Sequence, residues 1–226
     1  ANPRSPTAGT LYGTGSGNTA FSDLKDFEDM IGIIDYLHEK GVIDGTLVDG
    51  SLELDPYRLI NRSEFIVVLL RMLCIVPREE AYQAFADGEG YSDININSED
   101  IEVFAHIKEA TLLGLIEGYK GEPDPITGLF PFKPDEPVTR AEASKIIIEA
   151  LEMKGTLDLS NFVESVPWYE STIEAARDLS PFMVKEFIQN NFIVSDSEAT
   201  EPNRQLNIIE LIVMVERVLA IDNCHD

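Results

Sequence analysis

The 226-residue chain is poor in positive charge. Seventeen Lys and Arg residues stand against 41 Asp and Glu residues, which gives a formal net charge of -24 at pH 7. A surface of this sign repels phosphate backbones and anionic lipid headgroups unless a concentrated basic patch offsets it. The sequence contains no such patch. The composition therefore predicts no binding to nucleic acid and no attachment to anionic membrane surfaces.

Long apolar runs are also missing. The longest one, Phe65 to Leu70, is ended by Arg71, whereas a bilayer-spanning helix needs about 20 apolar residues. We therefore expect no membrane insertion. The chain begins Ala1-Asn2-Pro3, without the charged and apolar regions of a secretion signal, so a signal would have been removed or would lie outside this sequence. Residues 5–20 are rich in Gly, Ser and Thr, and we expect a flexible leader over residues 1–20.

Cysteine and histidine are scarce. The two cysteines, Cys74 and Cys224, do not have metal-ligand spacing. Two free thiols are the favoured expectation; a disulfide is the alternative, because both residues lie at or beyond the end of similar helix-forming segments, which could run parallel. His38, His106 and His225 are scattered and share no motif with a Ser or Cys nucleophile. We expect no catalysis, no metal site and no cofactor.

What the sequence does contain is a four-residue signature that occurs three times. In each copy an N-cap residue stands three positions before a Glu, which is the pattern of a capping box. An apolar run follows each signature. The β-branched content of these runs would also suit a buried strand, but the capping boxes favour helix. The first and third runs are apolar around most of the helix circumference, which indicates burial on all sides, so the three helices are expected to form a central bundle. The signatures are Asn61-Arg62-Ser63-Glu64, Thr139-Arg140-Ala141-Glu142 and Asn207-Ile208-Ile209-Glu210, and the predicted helices are Phe65–Leu73, Ala143–Leu151 and Leu211–Leu219.

Two further elements recur upstream of each signature. The nearer one is an amphipathic helix that ends in a residue tolerant of positive φ, followed by apolar residues that can pack back onto the last turn. The farther one is an aromatic residue followed, two positions later, by an acid. A turn-rich, extended connector, proline-rich at residues 129–137, joins each upstream helix to the next signature. The turns are Lys40-Gly41-Val42-Ile43, Leu113-Gly114-Leu115-Ile116 and Asn190-Asn191-Phe192-Ile193, and the aromatic-acid elements begin at Phe21, Tyr91 and Phe162.

This order of elements resembles three tandem S-layer homology domains, the modules that fasten proteins to bacterial cell envelopes. The second copy is the clearest, and the third, which lacks the signature arginine, is degenerate. The resemblance predicts repeats over residues 21–76, 77–154 and 155–226. It implies a mainly α fold in which three helix-loop-helix repeats form a pseudo-threefold prism around a central three-helix bundle, with short extended connectors and grooves between neighbouring copies.

The function that the resemblance implies is non-catalytic anchoring. Family members bind secondary cell-wall polysaccharide, which often carries ketal-linked pyruvate, and so hold surface proteins at the bacterial cell wall or S-layer. We accordingly expect an extracellular, monomeric pseudo-trimer with cell-wall polysaccharide as its partner. The alternative is a protein-binding or lattice-assembly module that contacts other surface proteins.

The second position of the signature is the candidate ligand site. An arginine there adds nothing to the cap of its own helix and faces the positive end of the helix dipole, at a cost of about 0.3–1 kcal/mol. Arg62 and Arg140 are therefore expected to bind a carboxylate of the ligand beside the helix N-terminal amides. Ile208 cannot do so, which predicts at most two working grooves. The alternative is an intramolecular salt bridge, for example to Asp23 or Asp93.

The resemblance also implies accessory groove contacts, from Asp23, Asp93, Gly41, Gly114 and Trp168. Trp168 would stack on a sugar face or, alternatively, anchor the core.

A nonstandard calcium site is a separate alternative for residues 93–100. Oxygen ligands alternate along this segment, but it lacks the glycine of an EF-hand loop and has Phe104 at the position of the final Glu. A polar loop before a helix explains the same pattern. We therefore predict no EF-hand.

Overall fold

A computed structural model describes residues 19–86, 90–94, 100–121, 123–156, 203–220 and 223–225. Within these residues the protein is mainly helical, with six α-helices and one two-stranded antiparallel sheet. None of the helices in this described part has the length and hydrophobicity needed to cross a membrane. In chain order the elements are a 3-10 turn (Glu28–Met30), α1 (Ile31–Glu39), β1 (Thr46–Val48), β2 (Ser51–Glu53), α2 (Arg62–Met72), α3 (Glu79–Ala86), α4 (Ile101–Leu112), α5 (Arg140–Met153) and α6 (Ile208–Leu219).

Helices α2, α5 and α6 are the three helices that the signatures predict. Each begins directly after its N-cap residue, three residues earlier than the apolar runs alone suggest. The side chains of Asn61, Thr139 and Asn207 all accept a hydrogen bond from the amide of the signature Glu. The capping box is complete in α5 and α6, whereas in α2 the Glu64 carboxylate binds Arg58. The expected burial of α2 and α6 is confirmed, since nearly all their apolar side chains lie in the core.

The segments before these helices are joined in a ring of backbone hydrogen bonds. Ile60 N–H donates to the Leu206 carbonyl, Leu206 N–H to the Val138 carbonyl, and Val138 N–H to the Ile60 carbonyl, each over 2.9 Å. These three residues are equivalent positions in the repeat, each lying directly before an N-cap. The ring therefore brings the N-terminal ends of α2, α5 and α6 together in cyclic order.

A second ring lies two residues further along the chain. The amides at positions 62, 140 and 208 donate to the carbonyls at positions 136, 204 and 58, respectively, over 2.9, 2.9 and 3.1 Å. Each bond again runs from one copy to the next. Because backbone groups make both rings, the missing arginine at position 208 does not interrupt them.

The first two predicted helix-ending turns are confirmed. Gly41 and Gly114 have φ values of 68° and 75°, a conformation in which other residues are strained. The following amides, of Val42 and Leu115, donate back to carbonyls in the last helical turn over 2.8 and 2.9 Å, which is the Schellman pattern. The third turn, at Asn190-Asn191, lies outside the described residues.

A short hairpin occupies the first connector, where we expected extended chain alone. β1 pairs with β2, and the turn between them consists of Asp49 and Gly50, both with positive φ. Asp-Gly is a strong sequence signal for a tight hairpin turn. Helix α3 is a second element that the repeat pattern did not predict, although Glu79 and Glu80 in its first turn are favourable there.

Cys74 and Cys224 form a disulfide, so the expectation of two free thiols is wrong. Their Cα atoms are 6.2 Å apart, although 150 residues separate them in sequence. Cys74 follows the end of α2, and Cys224 follows the end of α6. The two helices start from the same backbone ring and pack against each other, which brings the residues beyond their ends together.

Helices α2 and α4 pack against each other. Arg71, at the end of α2, forms ion pairs with Asp44 of the first copy and Glu102 of the second over 2.7 and 3.1 Å. This contact fixes α4 beside α2.

Candidate ligand-binding groove

A groove of about 1040 Å³ lies where the N-terminus of α2 meets the second copy. Arg62 is the first copy's contribution, and Gly114 of the second copy lies in the same groove. The structure thus brings together two of the candidate residues. The groove is lined by Arg62, Thr111, residues 114–120, Glu142, Lys145, Ile146 and Glu149.

Arg62 is held rigidly at the inner wall of this groove. Its side chain is only 8% exposed. Nη1 forms an ion pair with Glu142 over 3.0 Å, and Nε donates to the Phe132 carbonyl over 3.0 Å. The guanidinium carbon lies 4.5 Å from the centre of the Tyr119 ring and 4.8 Å from that of Phe132. None of the hydrogen bonds among the described residues uses Nη2 of this arginine.

The carboxylate of Glu142 accepts four hydrogen bonds from three residues. One carboxylate oxygen accepts from the amide and the hydroxyl of Thr139, and the other accepts from the Tyr119 hydroxyl and from Arg62. Burial alone would raise the pKa of Glu142, but these hydrogen bonds and the charge of Arg62 lower it below the ordinary value. Burial raises the pKa of Tyr119 to about 12. The hydrogen bond to Glu142 acts in the same direction, and the charge of Arg62 opposes the shift. The tyrosine therefore stays protonated and donates to Glu142.

The same pairing recurs one copy further along the chain. Arg140 binds Glu210 over 3.1 Å, with side chains 13% and 12% exposed. Glu210 also binds Arg204. The signature arginine of one copy thus neutralises the capping-box glutamate of the next.

Arg58 provides the corresponding pairing for the first copy. Ile208 stands where the third arginine would be, and Arg58 binds Glu64 through two hydrogen bonds of 2.6 and 2.5 Å. Hydrogen bonding to Glu64 raises the pKa of Arg58, although burial alone would lower it. Every signature glutamate therefore has a cation, although the third copy lacks its own.

These contacts revise the expectation for the signature arginines. The salt-bridge alternative describes Arg62 and Arg140 as they stand in the structure, but their partners are Glu142 and Glu210, neither of the two aspartates proposed. An arginine that adds nothing to its own helix cap instead stabilises the cap of the next helix.

Asp23 and Asp93 hold the connectors. The carboxylate of Asp93 accepts from the amides of Phe132 and Lys133 over 2.8 and 2.7 Å. Asp23 accepts from two successive amides, at positions 54 and 55, over 3.0 and 2.7 Å. Since the Phe132 carbonyl accepts from Arg62, Asp93 fixes the peptide segment that orients the arginine.

The groove is electrically balanced in a strongly acidic protein. Its lining includes three cations, Arg62, Lys120 and Lys145, and three glutamates, at positions 117, 142 and 149. Lys120 is the most accessible of these cations, its side chain being 74% exposed, against 45% for Lys145 and 8% for Arg62. Burial raises the pKa of Glu149, although Lys145 opposes the shift. A local net charge near zero permits the approach of an anion that the rest of the surface repels.

Sequence reasoning did not assign Tyr119, Lys120 or Lys145 to this site. Lys145 stands three residues after Glu142 in α5, a spacing that places both on one helix face. Tyr119 and Lys120 stand five and six residues after Gly114, so the recurring turn indicates their place in the fold.

The remaining candidates are not among the described residues of this groove. Gly41 ends α1 and is not part of this groove. Trp168 lies outside the described residues, as do residues 95–99 of the calcium alternative. Residues 157–200, which would supply much of the third copy, are also outside them.

Two similarities to known proteins cover this region. Residues 96–144 match the model of the S-layer homology domain family. The chain is also similar to the "Surface-layer 125 kDa protein" of Lysinibacillus sphaericus, with 26% identity over 166 residues, which cover 69% of this chain and 12% of that protein. The chain thus spans a small part of that relative's length.

The family match coincides with the groove. It includes Gly114, Tyr119, Arg140 and Glu142, so the second copy carries both the sequence similarity and most of the groove lining. Both similarities support an anchoring module, rather than an enzyme, in a cell-surface, cell-wall-associated location. Residues 96–144 are therefore similar to an S-layer homology domain.

Proposed function

We propose that the chain consists of three tandem S-layer homology repeats that anchor a surface protein to secondary cell-wall polysaccharide. The repeats are residues 21–76, 77–154 and the degenerate 155–226, and they form a pseudo-threefold prism. Two rings of backbone bonds and three equivalent capped helices support this arrangement.

The observation that carries the proposal is the composition of the groove at Arg62. An acidic glycan needs cations for its carboxylates and an aromatic surface for its sugar faces. Lys120 and Lys145 offer cations, Tyr119 offers the ring, and Nη2 of Arg62 offers a donor that is already fixed in place. In this proposal a pyruvyl or uronic carboxylate binds between Arg62 and Lys120. Gly114 leaves room for the ligand because it carries no side chain.

Arg140 occupies the equivalent position in a second groove of the same proposal, with Trp168 as a stacking residue. Asp23 and Asp93 act as positioning residues for the connectors. Gly41 belongs to a third groove, beside Ile208, that lacks the signature arginine. At most two polymer units are therefore expected per chain, and a stoichiometry of three would contradict this assignment.

The disulfide fits the proposed location. Disulfides persist in oxidising environments such as the cell surface, and this one joins segments 150 residues apart.

Lys120→Gln is the sharpest test of the groove. Its exposed ion pair with Glu117 contributes roughly 0–1 kcal/mol to stability, so the variant should fold normally. We expect its affinity for purified cell-wall sacculi to fall several-fold, while Lys25→Gln, an exposed lysine outside the groove, binds as the unmodified protein does. Equal binding of all three proteins would contradict the assignment of the groove.

Removal of the polysaccharide from the sacculi separates the two candidate functions. Polysaccharide anchoring predicts that binding is lost. Unchanged binding would support the alternative, a module that binds another surface protein or assembles a lattice.

A further inference from the structure

The ends of α2 and α6 meet at a cluster of metal-ligating side chains. Sγ of Cys74, Sγ of Cys224 and a ring nitrogen of His225 all lie within 4.8 Å of one another. Their spacing in sequence gives no sign of this cluster. Two sulfurs and one imidazole nitrogen are a donor set that suits Zn²⁺.

The histidine ring packs against the disulfide, and one of its nitrogens contacts a backbone carbonyl. Nε2 lies 3.1 Å from the Met72 carbonyl oxygen. A carbonyl only accepts, so this contact places the ring proton on Nε2 and leaves the lone pair on Nδ1. Nδ1 and Nε2 are each 3.7 Å from Sγ of Cys74, so the sulfur is beside the ring and not along the Nδ1 lone pair. Histidines that bind metals commonly donate their second ring nitrogen to a backbone carbonyl in this way.

The backbone of His225 is held independently of the two sulfurs. Its amide donates to the Asn223 side chain over 3.0 Å, and its carbonyl accepts from Lys40. Asn223 in turn donates to the Tyr36 hydroxyl over 3.4 Å. These contacts tie the backbone of the residue to the end of α1 independently of the disulfide.

We propose that Cys74, Cys224 and His225 form a zinc site that is closed by the disulfide and opened by its reduction. A dithiol reductant would transfer two electrons and two protons to the cysteine sulfurs and itself become a disulfide. The two thiols then lose their protons and bind Zn²⁺ together with Nδ1 of His225, while water takes the fourth position.

The three ligand atoms are already close, and local side-chain rotations would complete the site. Bonds of about 2.3 Å to sulfur and 2.0–2.1 Å to nitrogen in a tetrahedral site place sulfur and nitrogen about 3.5 Å apart. The Cys74 sulfur and Nδ1 are already 3.7 Å apart. The two sulfurs must separate to about 3.8 Å. The imidazole ring must also turn until the Nδ1 lone pair faces the metal. The metal would then hold together the segments after α2 and α6 that the disulfide joins in the oxidised protein.

Cobalt titration of the full chain tests the site, because sulfur-bound Co²⁺ has a charge-transfer absorption band in the near ultraviolet. The protein is reduced with a phosphine, which adds no competing thiol. We expect one Co²⁺ per reduced chain, displaced by Zn²⁺, and no band in the oxidised protein. The band should be absent from the Cys74→Ser, Cys224→Ser double variant.

His225→Ala separates the proposed site from simple binding to two thiols. Loss of a metal ligand should weaken binding at least about tenfold, as much as loss of an outer-shell partner. His38→Gln removes a histidine elsewhere and should leave the affinity unchanged. Equal affinity of His225→Ala and the unmodified chain, or one metal shared by two chains, would overturn the proposal.

Far-ultraviolet circular dichroism covers the case in which reduction unfolds the protein. Zn²⁺ should then restore the helical spectrum of the unmodified chain, and His225→Ala should need at least about ten times more metal to recover it. Failure of Zn²⁺ to restore the spectrum would also overturn the proposal.

Discussion

Replacing Arg62 with alanine should strongly destabilise the fold, although this residue also lines the ligand groove. The substitution removes the charged hydrogen bond to Glu142, the bond from Nε to the Phe132 carbonyl and the guanidinium between two aromatic rings. Glu142 keeps its bonds to Thr139 and Tyr119.

The magnitude follows from these three losses. A hydrogen bond between charged groups contributes about 1.5–3 kcal/mol. The carbonyl that loses its donor costs roughly 1 kcal/mol, and the ring contacts add about 0.5–1 kcal/mol. Since Glu142 is 20% exposed and retains other donors, the lower part of the range applies. We expect Arg62→Ala to reduce the free energy of unfolding by about 3–4 kcal/mol.

Urea denaturation followed by circular dichroism measures this change, and a double-mutant cycle with Glu142→Gln isolates the ion pair. We expect a coupling energy of about 1.5–3 kcal/mol for this pair. The coupling between Arg140 and Glu210 should be smaller, because Glu210 also binds Arg204. A loss below about 1 kcal/mol for Arg62→Ala would refute this account and would leave the arginine as a ligand-binding residue alone.

Three further predictions concern the disulfide and two glutamates. Cys74→Ser with Cys224→Ser should lower the free energy of unfolding by up to about 5 kcal/mol, the chain-entropy value for a 150-residue separation; an unchanged urea midpoint would contradict it. Glu142 has a folded pKa below its ordinary 4.5, so its contribution to stability is complete above about pH 4.5 and is lost as the pH falls through the folded pKa. Glu142→Gln should therefore flatten the loss of stability in acid, and an unaltered pH profile would count against this pairing. Burial raises the pKa of Glu149, so its charged form opposes folding; Glu149→Gln should raise the melting temperature at pH 7, with the gain disappearing as the pH falls through the raised pKa. A lower melting temperature would show that its contact with Lys145 outweighs burial.

Local sequence patterns predicted the elements that short-range physics controls. The three capping signatures located helices α2, α5 and α6, because in each one the N-cap side chain binds the amide of the glutamate three residues later, within one turn. The glycine turns after α1 and α4 were predictable because they are also local: few residues other than glycine adopt positive φ. The hairpin had an equally local signal, Asp49-Gly50, which is not part of the repeat pattern.

The binding site was only partly predictable. Arg62 and Gly114 were identified from the repeat, and the structure brings them into one groove. Lys120 and Lys145 were not predicted, because no sequence pattern distinguishes a lysine that lines the groove from one elsewhere on the surface. The whole prism and the bound polysaccharide remain proposals.

The sequence by itself determined where the repeated helices begin, which faces they bury, and that the protein carries a large negative charge. Only the tertiary structure decided which distant groups meet: Arg62 with Glu142, Arg58 with Glu64 in place of the missing third arginine, and Cys74 with the far end of the chain. The physical reason is range. Caps and turns are set by interactions within a few residues, whereas these contacts depend on the order in which three helix ends are joined by backbone hydrogen bonds, and many sequences with the same local patterns could join them differently.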